Sequence, residues 1–263
     1  MARYRLTIAY DGSGFRGLAP NDGVRTVVGE LQVVLEAILG PIEEIHMSGR
    51  TDAGVHAREQ VLSFDTESAV DEQRVMKSIN SRLGHEVVAT DLRAVDPRFH
   101  ARFSAMGRGY RYTILNHRHP MPFSAGTEWW VKDPLDLDAM NEGCRHLLGE
   151  HDFSSFCRRP KQGDRDEPHS LVRRIDAAHW RQRVDDAGHR RLVFHIAGPA
   201  FCHQMVRSIV GMCVSVGHAK QSPDDVRRVL TARDRNAAPS PAPPHGLMLW
   251  QVTYDESTAP DHV

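Results

Sequence analysis

From Ile45 to Phe64 the chain reads IHMSGRTDAGVHAREQVLSF, and its middle ten residues, Ser48–Ala57 (SGRTDAGVHA), interrupt the apolar–polar alternation on either side. Ile45 to Ser48 has the pattern of a short strand entering a bend, and Gln60 to Phe64 that of the strand leaving it. An ordinary surface turn needs a glycine and one Asx residue. This one sets Arg50 and Asp52 between Gly49 and Gly54, with His56 just beyond. Glycine permits backbone conformations closed to other residues, so the bend can tighten around Asp52 and approach a ligand closely.

The Asp52 carboxylate can act as a nucleophile or as a base. Arg50 can keep it ionised, or reach a phosphate or the gap left by a displaced base. The plainer alternative is an Arg50–Asp52 ion pair that braces a strand–strand connection. No glycine-rich phosphate loop and no G-x-S-x-G accompany the bend.

Outward from the bend, Arg3 to Tyr10 alternates as a strand with Tyr4, Leu6, Ile8 and Tyr10 on one face. Val27, Leu31, Val34, Leu35 and Ile38 recur at helical spacing, and Gly40-Pro41 ends that helix. Val75 to Leu83 reads as a second helix, and Val87 to Val95 and Tyr110 to Leu115 read as strands. Further on, Leu137 to Leu148 is helical, Ile175 to Trp180 and Leu192 to Ile196 are strands, and Phe201 to Val216 is an apolar helix. That last helix would carry His203 and Arg207 one turn apart on one side. Ser222-Pro-Asp-Asp225 is a helix start, 239–244 a stiff connector, and Gly246 to Thr253 a final strand. Strands come in runs rather than in regular βαβ alternation, so the fold class is α+β. The expected arrangement is two α/β subdomains with mainly antiparallel sheets forming a central cleft: residues 1–105, residues 106–254, and a loose tail over 255–263.

With 263 residues, 40% hydrophobic and 25% charged, the chain is globular in composition and long enough for a substantial core. No apolar run reaches the length of a membrane span, and the N-terminal residues go straight into strand alternation, so cytoplasm is the expected compartment. Cys144, Cys157, Cys202 and Cys213 are scattered without a Cys-x-x-Cys pair, which speaks against a zinc knuckle and a disulfide framework. Among sixteen histidines the tight pair is His117 and His119, with no acidic or cysteine neighbour, and metal is not expected there. Net charge is −1, so binding to nucleic acid requires a local patch. Arg98 to His119 offers one: Arg98, Arg102, Arg108, Arg111 and Arg118 with no acid, interleaved with Phe99, Phe103, Tyr110 and Tyr112. A basic strand edge with core aromatics fits this segment equally well.

The bend closely resembles the signature loop of the tRNA pseudouridine synthase A family. Other blocks follow in the family's order: Tyr10-Asp-Gly12, Asn80, Phe99-His-Ala-Arg-Phe-Ser-Ala105, Tyr110-Arg-Tyr112, His151-Asp-Phe-Ser-Ser-Phe156 and Phe201 to Gly211. The resemblance runs from about Tyr4 to about Val252. It implies the pseudouridine synthase fold, a homodimer, and no metal or organic cofactor. The implied reaction is isomerisation of uridine to pseudouridine in tRNA, at positions 38 to 40 of the anticodon stem–loop. On this mapping Asp52 matches the catalytic aspartate, Tyr110 the tyrosine at the target uracil, Arg50 an arginine at the flipped base, and Arg207 the basic partner of the aspartate.

The chemistry agrees. The base leaves C1′ through N1 and rejoins through C5 with nothing gained or lost, so no redox cofactor or phosphate donor is required. A carboxylate must attack ribose or uracil, or remove a ribose proton. The uridine must first leave its stack, and Tyr110 and Tyr112 share one face of a strand, where one can stack on uracil while the other packs below. A core role for Tyr110, and a purely structural pairing for Arg207, are the competing readings. The chain departs from the family pattern at Gly17-Leu-Ala19, Val28, Glu59, Gly84 and Met248, and the loss of a tryptophan and a glutamine from the first loop bears on RNA contacts. A non-catalytic RNA-binding or RNA-folding relative and a hydrolase using Asp52 and His56 are the rivals from other classes. Nucleoside digests of reacted tRNA separate the three.

Overall fold

The computed structural model describes residues 1–158 and 170–255. In chain order the elements are β1 (Ala2–Tyr10), α1 (Val27–Leu39), β2 (His46–Met47), β3 (His56–Thr66), α2 (Glu72–Arg82), β4 (Val87–Val95) and β5 (Ala105–Asn116). Then come β6 (Trp129–Val131), α3 (Leu137–Arg145), β7 (Gly149–Asp152), β8 (Val172–Ile175), β9 (Ala177–Val184), β10 (Arg190–Gly198), α4 (Met205–Gly217), α5 (Pro223–Ala232) and β11 (Leu247–Tyr254). Helices and mostly antiparallel strands are mixed, as the α+β reading requires.

Two compact units divide the chain: Met1–Arg108 with the chain from Met248 onward, and Gly109–Leu247. The division thus falls three residues beyond the expected 105, and the last strand, assigned in the linear reading to the second half, belongs with the first. The reason is a pairing over long sequence distance: Met248 and Leu249 lie parallel to His56 and Ala57. Residues 256–263, most of the expected tail, lie outside the described residues.

In the first unit the strands run β4–β1–β3–β11, with β1 antiparallel to β3 and to β4 and with β2 beside β3. The alternation in β1 does what it predicts: Tyr4, Leu6, Ile8 and Tyr10 are all buried. α1 starts where the Thr26 hydroxyl accepts from Gly29 N–H and buries Leu31 and Leu35. α2 packs on β4, and the Asn80 side chain clasps both backbone groups of Ala89, at 2.7 and 3.1 Å.

In the second unit β10 lies antiparallel to β9, β6 runs parallel to β5, and β7 and β8 make a separate two-stranded ladder. α3 packs against α4, α5 and β9. The single strand expected over Ile175–Trp180 is two, broken at Asp176, whose N–H donates to Ala197 O. A Cβ on Gly198 would collide there with Arg174 O. α4 begins at Met205 rather than Phe201, because Gln204 adopts φ 63°, a left-handed conformation no α-helix runs through. His203 therefore precedes the helix, and the expected one-turn spacing from Arg207 does not form. The short strands β6 and β7 carry no alternation long enough to read from sequence.

The cysteines also differ from expectation. Cys157 and Cys202 form a disulfide, with Cα atoms 5.8 Å apart and a sequence separation of 45. Cys144 and Cys213 are free thiols, buried where α3 meets α4, with sulfurs 3.7 Å apart.

Candidate active site

The Ser48–Ala57 bend is held at its entrance, its middle and its exit. At the entrance, Ser48 N–H donates to Val61 O, Ser48 Oγ donates to Gln60 Oε1 at 2.5 Å, and Gln60 Nε2 donates to Gly49 O at 2.9 Å. Gln60 is fully buried, so water does not compete for these bonds. Arg108 adds a brace from outside, donating to the carbonyls of Ser48, Arg102 and Ala105. A guanidinium that composition suggested for phosphate contact is thus committed to backbone.

In the middle, Tyr10 Oη lies 2.7 Å from Thr51 Oγ1, both residues buried, and Leu18 N–H donates to Thr51 O. Val55 N–H closes the turn on Asp52 O at 3.2 Å, with Gly54 at φ 77°. Of the two glycines, Gly54 needs the left-handed region and Gly49 does not. At the exit, buried His56 accepts the Gly12 N–H at Nδ1 when neutral, and the same nitrogen lies 3.1 Å from Asp11 Oδ1. Burial raises the Asp11 carboxyl, but bonds from Ser13 and the nearby His56 outweigh it and hold the group below the usual carboxylate range. A Cβ on Gly12 would strike the Val55 carbonyl, so the Tyr10-Asp-Gly12 block lies directly against the bend.

Asp52 itself is partly exposed and Arg50 is exposed. Among the described residues Arg50 makes no ion pair, so the Arg50–Asp52 brace, the plainer alternative in the sequence, does not form, and Tyr10, Gln60 and His56 hold the bend. The sequence does not mark these three as supports of the bend. Their signal lies in strand pairing: Tyr10 stands opposite Ala57 in the β1–β3 register. Leu18, where the family pattern has tryptophan, is fully buried and donates its N–H to Thr51 O, whereas Ala19, where the pattern has glutamine, is partly exposed.

In the second unit, Tyr110 and Tyr112 project from β5 to the same buried face, as expected. Tyr112 is sealed: its hydroxyl donates to Pro243 O at 2.9 Å, and its ring fills the space a side chain at Gly246 would need. Burial pushes its phenol well above the ordinary range, opposed by the charge of Arg207. Tyr110 meets Phe201 edge-on, with centroids 5.2 Å apart. Arg207 Nε donates to Ala242 O at 2.8 Å, while Ala242 N–H donates back to Arg207 O at 3.0 Å, tying α4 to the connector. The structure thus groups Arg50 with Asp52 in one unit, and Tyr110 with Arg207 near Tyr112 in the other.

The basic segment 98–119 divides the same way. Arg98 pairs with Asp96 at 2.9 Å, which holds that carboxyl to about 2, and Phe99 is buried. Phe103 is 75% exposed, its ring tilted against His100 and lying under Arg102. His117 and His119 interact locally, with His119 N–H donating to His117 Nδ1.

The acidic bend of the first unit is thus buttressed by buried polar groups, and the second unit separately carries the buried pair Tyr110 and Tyr112. The sequence pattern described as tRNA pseudouridine synthase matches residues 144–255. Over almost the whole chain it is similar to proteins named tRNA pseudouridine synthase A: 38% identical to that of Maridesulfovibrio salexigens, covering 98% of this chain and 92% of the relative. The Methylococcus capsulatus protein is 40% identical over 97% and 90%, and the Bacillus subtilis protein 38% over 96% and 99%. The chain belongs to the tRNA pseudouridine synthase A family, and it is an isomerase.

Proposed function

We propose that this chain isomerises uridine to pseudouridine in tRNA, with the anticodon stem–loop as its target. Asp52 is the reacting carboxylate and Tyr110 the ring that receives the extruded uracil. Arg50 and Arg207 are the cationic contacts. The N1–C1′ bond breaks and a C5–C1′ bond forms, the proton on C5 leaves, and N1 ends protonated, so the reaction balances within one nucleotide. Unstacking the uridine costs a few kcal/mol, which an aromatic platform offsets. The reading includes a cytoplasmic homodimer, in keeping with the family resemblance and with tRNA as substrate.

One observation carries it: the bend matching the family's signature holds Asp52 on a backbone fixed from three sides while leaving its side chain partly exposed. A fixed, accessible carboxylate is what a covalent or proton-transfer step at a nucleoside needs. The test is to digest reacted tRNA to nucleosides and separate uridine from its isomer. The wild type yields a new peak of unchanged mass that Asp52→Asn abolishes. Binding of tRNA without such a peak supports a non-catalytic RNA-binding role instead, and release of fragments or free base a hydrolase.

A further inference from the structure

We propose that Tyr10 is a positioning residue for Asp52, acting through Thr51; this rests on the reading of Asp52 as the reacting carboxylate. Tyr10 is the last residue of β1, just past a shift in the β1–β3 register, and its ring reaches across to the bend 41 residues away. Its hydroxyl and that of Thr51 are 2.7 Å apart at a site where Tyr10 is 5% and Thr51 9% exposed. Water is poorly placed to replace that bond.

Thr51 immediately precedes Asp52, so the peptide plane between them sets the direction of the Asp52 side chain. That residue is held twice: by Tyr10 at its hydroxyl, and by Leu18 N–H at its carbonyl, 3.3 Å away. The next carbonyl, of Asp52 itself, is held by Val55 N–H. Both peptides flanking Asp52 are thereby fixed, which sets where its Cα–Cβ bond points. Loss of the phenol hydroxyl frees the Thr51 side chain, leaving its peptide on the single Leu18 bond, without altering any exposed side chain. The expected cost is therefore paid in turnover and not in tRNA binding.

The experiment measures single-site pseudouridine formation on an unmodified tRNA transcript for Tyr10→Phe, Thr51→Val and Thr51→Ser, with Asp52→Asn alongside. Tyr10→Phe and Thr51→Val each lower kcat about 10- to 100-fold with KM changed less than about 2-fold. Thr51→Ser, which keeps the hydroxyl, retains most of the wild-type kcat. The double variant Tyr10→Phe/Thr51→Val is no slower than the slower single one, since both remove one interaction. A merely structural phenol would lower the melting temperature and leave kcat at 25 °C intact; that result, or a change confined to KM, overturns the proposal. If Tyr10→Phe fails to fold, the contrast between Thr51→Val and Thr51→Ser decides alone, and equal kcat values reject the idea. Full activity in Asp52→Asn would instead sink the reading of the carboxylate. An inactive Asp52→Asn beside a full-speed Tyr10→Phe sinks only the role of Tyr10.

Discussion

Gln60 and Ser48 stand twelve residues apart on opposite sides of the bend, and their side chains meet at 2.5 Å in a site closed to water. The same amide donates to Gly49 O, so one side chain binds both the hydroxyl and the backbone at the point where the chain turns toward Asp52. Gln60→Leu removes the amide partner of both the Ser48 hydroxyl and the Gly49 carbonyl. Losing the buried bond to Ser48 and the half-buried one to Gly49 destabilises the protein by about 1–3 kcal/mol. A thermal melt is expected to fall by roughly 2–4 °C per kcal/mol for a chain of this size, and turnover to fall with it. An unchanged melting temperature would show that the bend does not depend on Gln60.

Gly12 and Gly49 make a second contrast. A methyl group on Gly12 collides with the Val55 carbonyl, whereas one on Gly49 meets no atom within 4 Å. Gly12→Ala forces backbone to move and costs about 1–3 kcal/mol, with loss of activity because the displaced segment adjoins Asp52. Gly49→Ala changes stability by no more than about 0.5 kcal/mol. Denaturant titrations of the two variants measure both values.

The Cys157–Cys202 disulfide closes a loop of 45 residues. Cys202→Ser, or reduction of the wild type, is expected to lower stability by about 2–4 kcal/mol. Alkylation under non-reducing conditions should modify Cys144 and Cys213 only after unfolding, because both are buried. Four alkylated cysteines in the unreduced, unfolded protein would disprove the pairing.

His195 predicts a pH dependence of stability. Burial first, and then the charge of Arg111, push its pKa from 6.5 to about 4, and His179 lies stacked on it at 5.1 Å. Its buried Nε2 has no hydrogen-bond partner among the described residues. A histidine whose folded pKa is depressed binds its proton more readily when unfolded, so this contribution is complete above pH 6.5 and is lost as pH falls toward about 4. The melting temperature should decline across that window, and His195→Gln should flatten the decline. An equal slope in the variant would assign the effect to other groups.

Much of the architecture was legible in local pattern. The alternation in β1, the apolar stripe of α1 and the Ser222–Asp225 capping box all form where the spacing predicts. Each depends on residues no more than four positions apart. The bend itself, with Asp52 and its glycines, stood out for the same reason. What failed was also local in cause: Gln204 in a left-handed conformation starts α4 four residues late, and the Asp176 break makes two strands of one.

By itself, then, the amino-acid order determined the α+β class, the principal helices and strands, and the acidic bend proposed to carry the chemistry. Only the folded chain decided which groups grip that bend, which cysteines join, and where the last strand lies. Those contacts link Tyr10 to Thr51 across 41 positions and Cys157 to Cys202 across 45. Their partners are chosen by how distant strands pair and what becomes buried between them, a property no short window of residues encodes.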